Sequence, residues 1–134
     1  MALNSRFTTS IHALVVLAAE PDTLHRSEDV ARRLGTNPVV VRRVFSLLRE
    51  AGLILSQKGP SGGSKLARTA SEITLRDIHQ AVHLRGLQYA PSLPPTLKSA
   101  LKGVFSAASR AFDEELAQTT LAQLAKKTAR KPNR

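Results

Sequence analysis

Between Ser27 and Gly52 the chain carries two helix signals only three residues apart, and that spacing restricts the fold more than any other feature. Ser27 reads as an N-cap, with Glu28 and Asp29 in the first turn, where the helix dipole favours negative charge. Val30, Ala31 and Leu34 form a short apolar face, and Gly35 stands where a C-cap belongs. Asn37 is the next N-cap, and Pro38 occupies the first helical position, where its missing N–H costs nothing. Val41, Val44, Leu47, Leu48 and Ala51 then recur at helical spacing up to Gly52. The three valines at 39–41 suit a strand, but the cap and the following period favour a helix. Two short helices, a glycine-bearing turn Gly35-Thr36-Asn37 and an amphipathic second helix make a helix-turn-helix.

The residues after Gly52 extend the unit. Leu53 to Ser56 and Leu66-Ala67 are short strand candidates around Lys58-Gly59-Pro60-Ser61-Gly62-Gly63-Ser64-Lys65. Three of the seven glycines fall between 59 and 63, which predicts a β-hairpin, or wing. Upstream, Phe7, Ile11, Leu14, Val15 and Ala18 share one helical face over residues 4–20, ended by Pro21-Asp22. Downstream, Thr74 with Asp77 three residues on predicts a capped helix with Ile78, Ala81 and Val82 inward. Residues 86–95, with Gly86, Pro91, Pro94 and Pro95, read as a loop. Leu97, Leu101, Val104, Phe105, Ala108, Phe112 and Leu116 then form one long apolar stripe. Thr119-Thr120 interrupts it, and Leu121 and Leu124 lie on a last short helix. The tail 126–134 carries five basic residues and no acid, and is expected to be disordered.

The expected fold is therefore mostly α, a winged helix-turn-helix with a two-stranded wing and a long C-terminal helix. Residues 1–85 form the DNA-binding domain, 86–125 the loop and dimerisation helices, and 126–134 the tail. At 134 residues and 42% hydrophobic, the chain buries a real core, about two thirds of its unfolded surface. Its formal charge of +10 favours a polyanionic partner, with nucleic acid ahead of an anionic membrane surface. The absence of cysteine removes disulfides, thiol catalysis, Fe–S clusters and cysteine-based zinc sites. The longest apolar run, Ala13 to Ala19, is too short to span a bilayer, and no signal-peptide pattern is present. A cytoplasmic protein is expected, without a membrane partner.

Three stretches imitate other chemistry. Gly59-Pro60-Ser61-Gly62-Gly63 matches the G-x-S-x-G of a hydrolase nucleophile elbow, which requires a strand, a sharp turn and a long helix on a sizeable sheet. Here a short strand follows, so glycines at a hairpin tip are the better reading. The same stretch with Lys65 lacks Walker spacing and puts Leu66 where a magnesium-binding hydroxyl belongs. His79 and His83 have metal-compatible i, i+4 spacing but no third ligand. No catalytic residue, metal or cofactor is assigned.

The combination of Asn4–Ala19, the helix-turn-helix 27–52, the wing 58–68 and Ile73-Thr74-Leu75-Arg76-Asp77-Ile78 resembles the Rrf2 family of bacterial transcriptional regulators. The resemblance covers residues 4–125 and includes a C-terminal Thr120-Leu121-Ala122-Gln123-Leu124 ending. It implies a winged helix that dimerises through a long C-terminal helix and binds palindromic operators. Many family members carry three cysteines that hold an Fe–S cluster; residues 86–102 here have none. Lys58 stands where Arg is usual and Ser64 where an aromatic is usual. Val40 and Arg42 replace a frequent Tyr and acidic residue, so Asn37–Arg43 looks more like the cluster-less subgroup and no operator sequence carries over.

The residue types and the resemblance lead to one reading: a homodimeric, sequence-specific regulator of double-stranded DNA, a repressor, with its effector unassigned. Val39 and Val40 suit thymine methyls, and Arg42 a bidentate pair with guanine, while Arg43 suits phosphate. Asn37 belongs to the same helix start, and Ser27 offers a helix-start hydroxyl to phosphate. Lys58, Gly59, Ser61 and Lys65 flank or form the wing tip, which borders the minor groove. The stripe Leu97, Leu101, Val104, Phe105, Ala108, Phe112 and Leu116 is surplus to the small core and seeks a second chain. The alternative is a non-specific nucleic-acid binder that uses charge alone.

Overall fold

A computed structural model of the chain describes residues 4–83 and 90–129. Six α-helices and one two-stranded antiparallel sheet are present among them: α1 Ser5–Ala19, α2 Ser27–Leu34, α3 Pro38–Glu50, β1 Ile54–Gln57, β2 Gly63–Leu66, α4 Leu75–Val82, α5 Pro95–Leu116 and α6 Leu121–Ala129. A 3-10 turn, Ala70–Glu72, links the hairpin to α4.

Local chemistry sets most boundaries. The Asn4 side chain accepts from the Phe7 N–H and starts α1. Asn37 accepts from the Val39 N–H at 2.7 Å, with Pro38 in the first turn of α3. Gly35 closes α2 at φ 71°, a left-handed conformation that glycine adopts without steric penalty. Thr74 and Asp77 form a reciprocal capping box at the head of α4, at 3.2 and 2.9 Å. Thr120 and Gln123 make the same reciprocal pair at the head of α6, at 3.1 and 2.9 Å. Ser27 departs from expectation. It is the first helical residue of α2, the cap position is Arg26, and no side chain caps this helix.

The core is one cluster. Leu14 and Leu17 of α1, Val30 of α2, Val41 and Leu48 of α3, Ile54 of β1 and Ile78 of α4 are all essentially sealed from solvent. Each such side chain contributes about 1.5–3 kcal/mol by burial. Phe45 is a further core residue of α3, whereas Ala51 is exposed at its C-cap.

Three differences from the sequence reading lie in the C-terminal third. Leu121 of α6 is completely buried in the same core, α6 lies against α1, and Leu121 N–H donates to Ile73 C=O at 2.7 Å. Leu75 N–H donates to Thr119 C=O at 3.0 Å, so the chain crosses back after α5. The boundary expected at 85/86 is thus bridged by α6, which packs on the first unit. Lys126 to Ala129 also continue α6, so a disordered tail cannot begin at 126; residues 130–134, and Gly86 of the expected loop, lie outside the described residues. Pro95, expected in that loop, is the first residue of α5.

Helix α5 has the expected stripe and no buried residue. Leu97, Val104 and Phe105 are exposed, Val104 at 61%, while Leu101, Ala108, Phe112 and Leu116 are half-buried. The helix meets the body through Phe112, edge-on to His79 at 4.9 Å between centroids.

Candidate nucleic-acid interface

Helices α2 and α3, joined through Gly35-Thr36-Asn37, pack through Val30, Ala31, Val41 and Val44, which leaves the start of α3 facing outward. Val39 is 48% and Val40 36% exposed, an apolar pair that the fold does not use for its own core. Arg42 and Arg43 are exposed one turn further on. Asn37 is exposed too; its side-chain oxygen accepts from the Val39 N–H, and its amide NH2 is turned to no partner among the described residues and can donate to a ligand.

Glu28 organises the cations around this face. Its carboxylate lies 3.5 Å from Arg42 Nη1 and 3.9 Å from Arg26 Nε. Arg26 also donates to Pro60 C=O at the wing tip, at 2.8 Å. All these groups are solvent-accessible, so the ion pairs add little stability. They orient the Arg42 guanidinium beside α2 and hold the wing tip against the head of the same helix.

The wing is a register-true hairpin, with Ile54 opposite Leu66 and Gln57 opposite Gly63. Gly59 at φ 107° and the Gly62 N–H donating to Gly59 C=O at 3.0 Å form its tip. An added Cβ on Gly62 would overlap the Gln57 carbonyl, so the close backbone approach there requires glycine. The G-x-S-x-G pattern therefore lies on a hairpin turn with no following helix. Ser64, buried, bonds the Ser56 hydroxyl at 2.8 Å and exchanges two backbone hydrogen bonds with His25, both 2.8 Å. That bridge clips the wing to the chain ahead of α2.

A cleft of about 370 Å³ runs between α3 and the wing, bordered by Arg42, Ser46, Arg49, Ser56 and Gln57. A second, of about 260 Å³, lies between the head of α2 and the wing tip, with Arg26, Ser27, Lys58 and Gly59 on its walls. Ser27 borders both clefts, Arg42 the first and Lys58 and Gly59 the second, and Ser61 is exposed on the same tip. Lys65 is not brought to the tip. It lies in β2 opposite Leu55, on the face away from Ser56 and Ser64, because successive strand residues point to opposite faces. Arg26 and Arg49 were not singled out from the sequence. Arg49 is legible in retrospect, two turns after Arg42 on the same face of α3; Arg26 depends on the hairpin folding back, which no local pattern reveals.

Around His79, α1, α4 and α5 meet. His79 is buried and packs edge-on against Phe7 at 5.0 Å and stacks with His83 at 4.9 Å between centroids. Burial, followed by the proximity of positive groups including His79 and Arg6, holds the His83 pKa below its ordinary value.

The protein-family model Rrf2, described as an iron-dependent transcriptional regulator, matches residues 3–127. A Bacillus subtilis strain 168 protein, carrying the name HTH-type transcriptional regulator YwnA, is 34% identical over 127 residues, 89% of this chain and 93% of its own length. Two solved structures share the fold. IscR of T. potens superposes with a TM-score of 0.74 at 23% identity, covering 100% of this chain and 94% of that one. CymR, the global cysteine regulator of B. subtilis, gives 0.72 at 22% identity, covering 95% and 98%. The donor set here does not fit the iron of the family description as a thiolate-held cluster, since the chain has no cysteine. Among the described residues no three His, Asp or Glu side chains converge on a common point. No helix among them is long and apolar enough to cross a membrane.

Proposed function

Because this chain belongs to the Rrf2 family of HTH-type transcriptional regulators, we propose that it acts as a homodimer on a palindromic operator and represses transcription there. It is a DNA-binding regulator and not an enzyme, and what is proposed is how its residues do the work. The observation that carries the reading is the open start of α3. Two exposed valines and two exposed arginines stand on the helix that the helix-turn-helix presents. The N-terminal residues of such a helix meet base edges in the major groove. Val39 and Val40 pack on thymine methyls, and Arg42 leaves Glu28 to pair with guanine O6 and N7, worth about 1–3 kcal/mol of discrimination. Arg43, Ser27 and the Asn37 amide take phosphate oxygens. Lys58, with Gly59 and Ser61 beside it, follows the backbone or enters the minor groove, and Lys65 supports the wing's charge from its other face.

The homodimer reading rests on the α5 stripe. A 22-residue helix is about 33 Å long, and one that buries no side chain is unusual unless a partner covers it. The unit built from α1 to α4 and the wing, closed by α6, then reads DNA, and α5 joins the protomers. Two α3 helices related by a two-fold axis fit half-sites about 34–36 Å apart. Repression needs nothing further than a dimer that excludes polymerase from its operator.

The test is a binding-site selection at near-physiological salt, together with light scattering on the purified chain. A palindromic logo and a dimeric mass are expected. A featureless logo with a steep salt dependence would instead mark a non-specific binder. Leu101→Glu with Phe105→Glu should give monomers with weak operator binding.

A further inference from the structure

Between α1 and α6 lies a cleft of about 490 Å³ that shares no lining residue with the two wing clefts. That is within the usual range of small-molecule pockets, about 300–1,000 Å³. Ile11, Val15 and Val16 of α1 and Leu124 and Ala125 of α6 give it an apolar lining. Arg33 of α2 borders it, and so does His12. Among the described residues no acidic side chain lines it. Arg33 makes no ion pair among the described residues, whereas its neighbour Arg32 is held by Asp29 at 3.0 Å.

An apolar lining with one uncommitted guanidinium is matched by a particular chemistry. A carboxylate satisfies the planar fork of Arg33 bidentately, and an imidazole beside it can donate a further hydrogen bond. The rest of such a ligand must be apolar to replace water along Val15 and Leu124. The chain's own residues 130–134, which follow Ala129 on the cleft's rim, do not match. They carry three basic side chains and no large apolar one, so Arg33 repels them.

We propose that this cleft binds a small organic monocarboxylate with an apolar body, anchored by Arg33, and that the ligand regulates DNA binding. The regulatory part rests on the function proposed above; the binding part does not. Arg33 lies in the last turn of α2, directly before the turn into α3. Neutralising it removes one positive charge per protomer from the DNA-reading unit, which weakens attraction to phosphate. Any tilt of α2 toward the ligand is passed to α3 through the packed Val30 and Val41. Such coupling is limited by the difference in ligand affinity between the DNA-bound and free conformations.

Calorimetric titration of the full chain, without DNA, tests binding. The probes are octanoate, 4-phenylbutyrate and indole-3-acetate, with 4-phenylbutanol and 4-phenylbutylamine as neutral and cationic controls. At least one carboxylate should bind saturably, one per protomer, at least tenfold tighter than the alcohol, with the amine weakest. Arg33→Met, an exposed change that leaves the core intact, should bring 4-phenylbutyrate to the alcohol's affinity without altering the alcohol. Failure of all three carboxylates to bind at 5 mM, a preference for the amine, or an unchanged Arg33→Met titration would overturn the site. The second measurement is the Kd for the selected DNA with the carboxylate that binds. A rise of threefold or more in the parent but not in Arg33→Met is expected. An unchanged Kd with a proven complex would overturn the regulatory part. A chain that selects no DNA sequence would fail the function proposed above while leaving the calorimetry intact.

Discussion

At the residue scale, Arg42 and Lys58 illustrate two uses of positive charge. The Arg42 guanidinium is held beside α2 by Glu28 at 3.5 Å, one turn into a helix whose start is open. Its fork can copy the geometry of guanine's acceptors, which an ammonium cannot. Lys58 is an exposed point charge at the edge of the tip. Arg42→Ala should therefore lower affinity and relax base preference at one position in each half-site. Lys58→Ala should weaken all sequences about equally and reduce the salt slope by about one unit per site. A selection on both variants checks this: an Arg42→Ala logo that keeps every base preference of the parent makes Arg42 a phosphate anchor. Gly62 makes the complementary point about shape. Its Cβ would collide with the Gln57 carbonyl, so Gly62→Ala should distort the tip and separate Pro60 from Arg26. Weaker DNA binding with a nearly unchanged melting temperature is expected, because no core side chain is involved; a parental Kd would show that the tip tolerates the change.

At the scale of elements, α5 and α6 look alike in sequence and differ in role. Both are short on charge along one face, yet no residue of α5 is more than half-buried, while α6 inserts Leu121 into the core. Periodicity alone could not separate them, since an apolar stripe records that a face needs cover and not which chain supplies it. Leu121→Ala should cost about 2–5 kcal/mol of stability, the range for a leucine truncated in a packed core. Chemical denaturation measures it. A loss below about 1 kcal/mol would mean that α6 is a peripheral helix. The caps, by contrast, were legible. Asn37-Pro38, Gly35 and the Thr74–Asp77 pair act within one turn, so the residues that set each boundary are adjacent to it. Ser27 was the exception, because a chain bridge from His25 to Ser64 orients the head of α2 in place of a side-chain cap.

For the whole molecule, the junction of α1, α4 and α5 couples stability to pH. His83 stacks on buried His79, with Arg6 near and Asp113 acting in the opposite sense. The folded His83 pKa is depressed below the unfolded value of about 6.5. Below that pH the unfolded chain binds the additional proton more readily, so folding stability falls as the solution is acidified. The loss begins as pH drops through the unfolded value and is complete below the folded one. Thermal melts from pH 7.5 to 5 should show a shallower decline for His83→Gln than for the parent. Parallel declines would remove His83 as a contributor.

What the sequence by itself determined is the part of this protein written in neighbouring residues. The two helix starts, the three-residue turn, the glycine tip and the surplus stripe are all short-range, and together they specify a winged helix-turn-helix with a long outer helix. Tertiary structure alone decided which cations share a surface and which apolar faces share a core. Arg26 reaches the wing tip across 34 positions, Ser64 clips the wing to His25, Lys65 is turned away by strand alternation, and Leu121 closes the first unit from the far end of the chain. Each of these depends on contacts between segments distant in sequence. Such contacts are selected by the fit of the whole core, and no local preference of the residues involved encodes them.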